Sequence, residues 1–259
     1  AYAMTKYGYI SKSGTLNVTR DEGNSLVVMD GDNCYIVEES EEGGGIVTIP
    51  WSLEKAPVND AINAGLSAQW PNFRGSDTNN GVVSSAIPTA AEDGILYWAN
   101  QIGSGIDADA VGSPIIVDGY LITYASDKIY RVDTVSGEVV ATGTMDHKSS
   151  FSITPPTYAE GMVFVALSNG TVQAFNAETL ESLWLYADPL GGQPNCPLTV
   201  KNGYLYTGFW NSETSDANFV CLSITDEDPA QAKESKCASW YHTSKGGFYW
   251  AGAYACDDY

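Results

Sequence analysis

Five cysteines (Cys34, Cys196, Cys221, Cys237, Cys256) and two histidines (His147, His242) are the first residues to test for ligand or nucleophile chemistry. No cysteine pair has the C-x-x-C spacing of a compact metal loop, and the histidines lie far apart. The odd count leaves at least one thiol unpaired in a monomer. Cys221 and Cys237 could bridge neighbouring strands, but sequence does not fix connectivity. Carboxylates are abundant, 32 Asp and Glu against 12 Lys and Arg. "DGDN" (30–33) and "SDTNNG" (76–81) look like cation loops, with calcium as the ion they could take. Neither has the D-x-[DN]-x-[DN]-G-x5-E spacing, so each reads as a plain turn and no metal or cofactor is expected. There is no G-x-S-x-G, H-E-x-x-H or Walker-type loop, and no catalytic residue is assigned.

The stretches with a binding flavour are aromatic. "GFW" (208–210) precedes a polar insert, and "GGFYW" (246–250) follows it. Trp210, Phe248, Tyr249 and Trp250 are therefore the candidate ligand contacts. Rings on loops can stack on sugars or anchor a protein; the competing role is packing between structural units.

The elements that must position these rings come from a repeat. Gly119, Gly161 and Gly203 each open an alternating strand and lie 42 residues apart, twice. Pro114, Pro156 and Pro197 keep step upstream. Each unit reads as four short strands with a tight hairpin in the middle, at Ser126-Asp127 and at Asn169-Gly170, where Asn-Gly suits a type I′ turn. Asp133 and Asn176 end their third strands, since a short polar side chain can bond the backbone two residues on. About 40 residues in four antiparallel strands make one blade of a β-propeller. A blade cannot bury both faces alone, so neighbours must stack. Trp184, closing its unit, fits the wedge between blades, where its indole N–H can meet a backbone carbonyl. Trp240 takes that place one unit on, and Trp98, within "GILYWANQIG" (94–103), reads as part of a fourth strand without its first three.

The fold class expected is all-β: a propeller of four-stranded antiparallel blades, with an incomplete ring in this chain. Residues 1–66 read as an N-terminal β-rich segment, a divergent blade or small β-module, with 53–65 a short helix or linker. Residues 67–259 read as the blades, the third widened by polar inserts at 211–218 and 226–235 and the last, begun near Gly247, truncated. The missing blades are expected from the rest of a longer polypeptide or from another chain. With a net charge of −20, the surface repels nucleic acid and anionic lipid. No apolar run reaches the roughly 18 residues of a membrane span, so membrane insertion is not expected.

"WPNFRG" (70–75), "DGYLITYASDKIYRVDTVSGE" and "GMVFVALSNGTVQAFNAETLESLW" resemble the pyrroloquinoline-quinone (PQQ)-like β-propeller repeat family, in its cell-surface and secreted bacterial form. The resemblance covers about residues 68–259. It implies three classes: quinone dehydrogenases that bind the quinone with calcium, non-enzymatic scaffolds such as an outer-membrane assembly lipoprotein, and surface proteins. A dehydrogenase of this kind carries a vicinal disulfide beside the quinone, and this chain has no Cys-Cys pair. The expected function is a non-enzymatic extracellular or cell-surface binding or scaffold module, with a protein or cell-wall glycan as partner. A quinone-dependent dehydrogenase and a carbohydrate-binding adhesin are the alternatives.

Overall fold

A computed structural model describes residues 1–40, 44–76, 80–84, 89–90, 92, 94–104, 110–148 and 154–256. The SDTNNG loop (76–81) falls partly outside these residues, and the last positions of the unit begun near Gly247, 257–259, lie wholly outside them. The N-terminal strands are short: β1 (Tyr2–Met4) pairs β2 (Lys12–Gly14), β3 (Leu16–Arg20), β4 (Leu26–Asp30) and β5 (Asn33–Ile36) form a meander, and β6 (Glu38–Glu39) pairs β7 (Gly45–Ile46). The repeat region then builds three larger sheets. The first blade is β9 (Ile115–Val117), β10 (Tyr120–Ala125), β11 (Lys128–Asp133) and β12 (Val139–Thr144), with β8 (Ala68–Trp70) added beside β9. The second is β13 (Thr157–Ala159), β14 (Met162–Leu167), β15 (Thr171–Asn176) and β16 (Ser182–Ala187). The third is β17 (Thr199–Lys201), β18 (Tyr204–Gly208), β19 (Asp216–Ser223) and β21 (Trp240–Lys245). Its insert carries β20 (Glu234–Ser235), which pairs in parallel with β16 of the second blade.

The periodic glycines have a definite mechanical role. Asp118-Gly119, Glu160-Gly161 and Asn202-Gly203 all sit in positive φ, near +51 and +78, at the β9–β10, β13–β14 and β17–β18 turns. Two consecutive positive-φ residues make the type I′ turn whose twist matches antiparallel strands, and glycine takes the second place without steric cost. The central hairpins differ by one residue. Ala125 pairs Lys128 across two residues, whereas Leu167 pairs Thr171 across three. The extra residue is Ser168, whose N–H donates to the Lys148 carbonyl, and Gly170 is drawn to the Gly192 carbonyl. The expected two-residue Asn-Gly turn is thus a three-residue loop with Asn169 and Gly170 both in positive φ. Asp133 Oδ1 accepts N–H bonds from Val135 and Ser136, and Asn176 Oδ1 from Glu178 and Thr179.

The second blade is buried on both faces: all twelve residues of β14 and β15 are buried. Period-2 alternation splits them cleanly. Val163, Val165, Leu167 and Phe175 pack with Ile115, Ile122, Tyr124 and Ile129 of the first blade. Phe164, Ala166, Val172, Ala174 and Trp184 pack with Leu205, Val220, Leu222 and Ile224 of the third. This is face-to-face stacking of successive sheets.

Of the two alternatives for residues 53–65, the helix and the linker, the structure has the linker: an extended strap with a turn at Asn59–Ile62, held by Asn59 Nδ2 on Asp226, the Ala61 carbonyl on Asn176 Nδ2, and Ile62 against the core. "GILYWANQIG" forms no strand, because Ile95, Leu96 and Tyr97 face solvent with no ladder partner among the described residues. All five cysteines are free thiols, so Cys221 and Cys237 do not bridge. The Asp30–Asn33 turn is a plain β4–β5 hairpin, and the Asp30 carboxylate is engaged by Tyr2 Oη (3.1 Å) and Trp51 Nε1 (3.2 Å).

Candidate functional site

Blade register places three tryptophans. In the second blade, Met162 pairs Asn176; in the third, Tyr204 pairs Ser223, so Asn176 and Ser223 are equivalent. Trp184 follows the irregularity after the Gln173–Leu185 pair, and Trp240, across from Cys221, takes the corresponding place before the Val220–Tyr241 pair. Trp184 is fully buried, and its Nε1 donates to the Ile224 carbonyl at 3.2 Å, the first residue past β19. Trp98 makes the same bond one blade earlier: its Nε1 donates to the Thr134 carbonyl at 3.0 Å, the first residue past β11. It lies flat against Gly137, where a Cβ would come within 2.6 Å of the indole. Trp98 therefore plugs the face of the first blade although its segment is not a strand. Trp240 differs. It is 48% exposed, because nothing among the described residues covers the far face of the third blade as that blade covers Trp184. The sequence position is equivalent; the burial is not.

Around Trp240 a run of rings forms. Trp240 stacks on Phe219 (6.3 Å) and tilts against Tyr206 (6.1 Å). Phe219 meets Phe248 edge-on at 5.3 Å, and Phe248 meets His242 at 6.3 Å. Phe248 is half-buried, wedged over Gly208, and its N–H donates to the Phe209 carbonyl. Trp210 is half-buried and edge-on to Tyr249 at 5.9 Å, with its indole Nε1 enclosed and without a hydrogen-bond partner among the described residues. Tyr249 is 37% exposed, donates from Oη to Glu213 (3.3 Å) and touches Trp250 at 5.8 Å. Trp250, at φ +69, presents an indole 66% exposed, while its N–H is fixed to the Asn195 carbonyl. The four candidates thus divide: Trp210 and Phe248 are packing residues, and Tyr249 and Trp250 are surface rings. The sequence reading missed Tyr206, Phe219 and His242. Only the β19–β21 register, which sets Phe219 opposite His242 and Cys221 opposite Trp240, brings them to this face.

The described residues after Gly247 form no strand, yet they keep the repeat's contacts. Thr157 Oγ1 donates to the Leu198 carbonyl; Thr199, one unit on, donates likewise to Ala253 at 2.7 Å. Residues 251–253 therefore lie against the third blade much as 196–198 lie against the second.

A second cluster lies where the insert crosses the second blade. Lys236, fully buried, donates from Nζ to the Thr225 carbonyl (2.8 Å) and to Glu227, with Glu234 at 3.8 Å and the Trp184 ring at 5.8 Å. Ser11 donates to Glu227 through both N–H and Oγ, so the N-terminal segment is tied to the same carboxylate. Burial pushes the Glu234 carboxyl above its ordinary value, against the pull of the Glu227 N–H and Lys236. A cleft of about 570 Å³ separates the N-terminal strap from the blades, lined by Tyr7, Tyr9, Lys55, Glu160 and Asp226. Tyr7 Oη is bonded to Glu160, which pushes the phenol up to about 12.

Among the described residues no three His, Cys, Asp or Glu side chains converge as a metal requires, and the thiols are spread singly. Among the described residues no helix is long and apolar enough to cross a membrane.

Comparison with known proteins adds the lineage. The sequence family described as outer membrane protein assembly factor BamB matches residues 79–210, half of the chain. No curated protein sequence matches. Among solved structures, a europium-containing methanol dehydrogenase is similar at 15% identity and a TM-score of 0.50, over 68% of this chain and 32% of its own. The quinohemoprotein alcohol dehydrogenase of Comamonas testosteroni is similar at 16% identity and TM-score 0.49, over 68% of this chain and 27% of its own. BamB from Moraxella catarrhalis is similar at 14% identity and TM-score 0.34, over 48% of this chain and 34% of its own. The chain spans about a third of each or less. At such identities the likeness is one of fold: β-propeller blades of the PQQ-like repeat.

Proposed function

Since the chain belongs to the family of the outer membrane protein assembly factor BamB, we propose that it is a non-enzymatic scaffold that holds a protein partner, at the cell surface or outside the cell, through the aromatic face of the third blade. One observation carries the reading. Trp240, Tyr249 and Trp250 are exposed on the third blade and its trailing segment, beside packed Phe219, Phe248 and Trp210. Exposed aromatic clusters of this kind mark interaction sites, because rings lose little rotamer entropy on burial and supply much area. A composition of 16 Tyr and 7 Trp with only 12 basic residues supports an extracellular setting.

The experiment is site-specific photo-crosslinking in the native host, with the crosslinker at the exposed His242, at Trp250 and, as control, at the exposed Val135 on the first blade. A discrete protein adduct at the first two positions and none at the third is expected. Equal labelling at all three would refute the assignment. Quinone uptake with dye reduction, on adding PQQ and calcium, would replace it with a dehydrogenase. A second reading follows from Trp250: its open indole beside the polar 211–218 insert suits a sugar face, and glycan-array binding lost in Trp250→Ala would favour the adhesin.

A further inference from the structure

The second blade carries a fifth strand on its outer edge. β20 comes from the neighbouring blade's insert, pairing Trp184 with Glu234 and Leu185 with Ser235 in parallel, and the Lys236 N–H donates to the Leu185 carbonyl at 2.9 Å. The lysine one step past the pairing sends its ammonium back over the Trp184 ring. The third blade repeats the acceptor. β21 holds the place of β16, with Trp240 for Trp184 and Tyr241 for Leu185. Among the described residues its outer edge has no strand, and Trp240, Tyr241, His242 and Thr243 are all exposed. The first blade lacks the ring: Ala141, opposite Arg131, fills that place in β12.

We propose that the outer edge of β21 takes an extended, lysine-bearing segment of another polypeptide as a parallel added strand, in the register that β20 adopts on β16. The proposal rests on the protein-scaffold reading and names its partner class. Backbone pairing along an unpaired edge gives affinity, and the side chains beyond it give specificity. The ammonium of the added strand meets the Trp240 face, a cation–π contact. A chain of net charge −20 favours a basic partner over an acidic one.

The probe is a synthetic peptide with this chain's own sequence from Ala230 to Ala238, carrying C237S, titrated into the intact 259-residue chain and followed by amide NMR and hydrogen exchange. Saturable binding is expected, with shifts and exchange protection centred on Tyr241. Tyr241→Pro should abolish it, since proline on an edge strand removes only an outward N–H and leaves the β19–β21 ladder intact. Trp240→Ala, and K236A in the peptide, should each weaken it roughly tenfold, about the loss of one partly exposed cation–π contact with its packing. Absence of binding, undiminished binding to Tyr241→Pro, or self-pairing of the chain through β21 would overturn the proposal. Crosslinking at His242 reads separately: adducts without peptide binding leave the scaffold reading in place and remove strand addition.

Discussion

Trp184 and Trp240 occupy one position in two successive blades, and substituting each by alanine separates position from burial. Trp184 is fully enclosed, 5.6 Å from the Phe164 ring and packed with Leu205, Leu222 and Ile224, and its indole bonds the Ile224 carbonyl. Truncating a buried tryptophan costs about 3–5 kcal/mol, from lost transfer energy and the cavity left between rigid sheets. The stranded carbonyl of Ile224 places Trp184→Ala at the upper end of that range. Trp184→Phe keeps most of the packing and loses the N–H bond, so about 1–2 kcal/mol is expected. Trp240 is 48% exposed, and among the described residues its Nε1 has no bond like that of Trp184. With half the area already in water, Trp240→Ala should cost about 1 kcal/mol. Urea unfolding followed by far-UV circular dichroism gives the three values, and hydrogen exchange at Ile224 locates the loosened interface. If Trp240→Ala costs as much as Trp184→Ala, the equivalence of burial and stacking argued above is wrong. A cost below about 1 kcal/mol for Trp184→Ala would equally refute the wedge.

Gly137→Ala should destabilise by about 1–3 kcal/mol, since φ is +75 and the new methyl would meet Trp98; dequenched or shifted Trp98 fluorescence, read in a variant keeping that tryptophan, checks it. Lys236→Ala should cost about 3–5 kcal/mol by leaving Glu227 and Glu234 buried without their cation. Glu234→Gln should be neutral or stabilising at pH 7. The folded carboxyl is raised above 4.5, so its favourable contribution exists below 4.5 and is lost as pH rises through the folded value; the advantage of glutamine should vanish in acid. Burial pushes the Cys196 thiol up to about 11 from 9.0. That contribution is complete below pH 9 and lost as pH rises through about 11, so the unfolding free energy from urea titration should fall over that window by an amount approaching about 2–3 kcal/mol, less steeply in Cys196→Ala.

The repeat was legible because its physics is local. A type I′ turn needs two positive-φ residues, so glycine recurs at 119, 161 and 203, and alternation along β10, β14 and β18 follows from sheets with two distinct faces. Asp133 and Asn176 were readable for the same reason, since each bonds backbone within three residues. What tertiary structure alone decided depends on partners far along the chain. The wedge position is marked in sequence by Trp98, Trp184 and Trp240 alike, but a following blade buries one, a bare segment carries another to Thr134, and the third is left half in water. The separation of Trp210 and Phe248 from Tyr249 and Trp250 also arises only when β19 and β21 fix their register and the tail folds back over Gly208. No periodicity foretold β20, because a two-residue strand draws its stability from the neighbouring blade's edge and from a lysine buried among carboxylates rather than from its own residues.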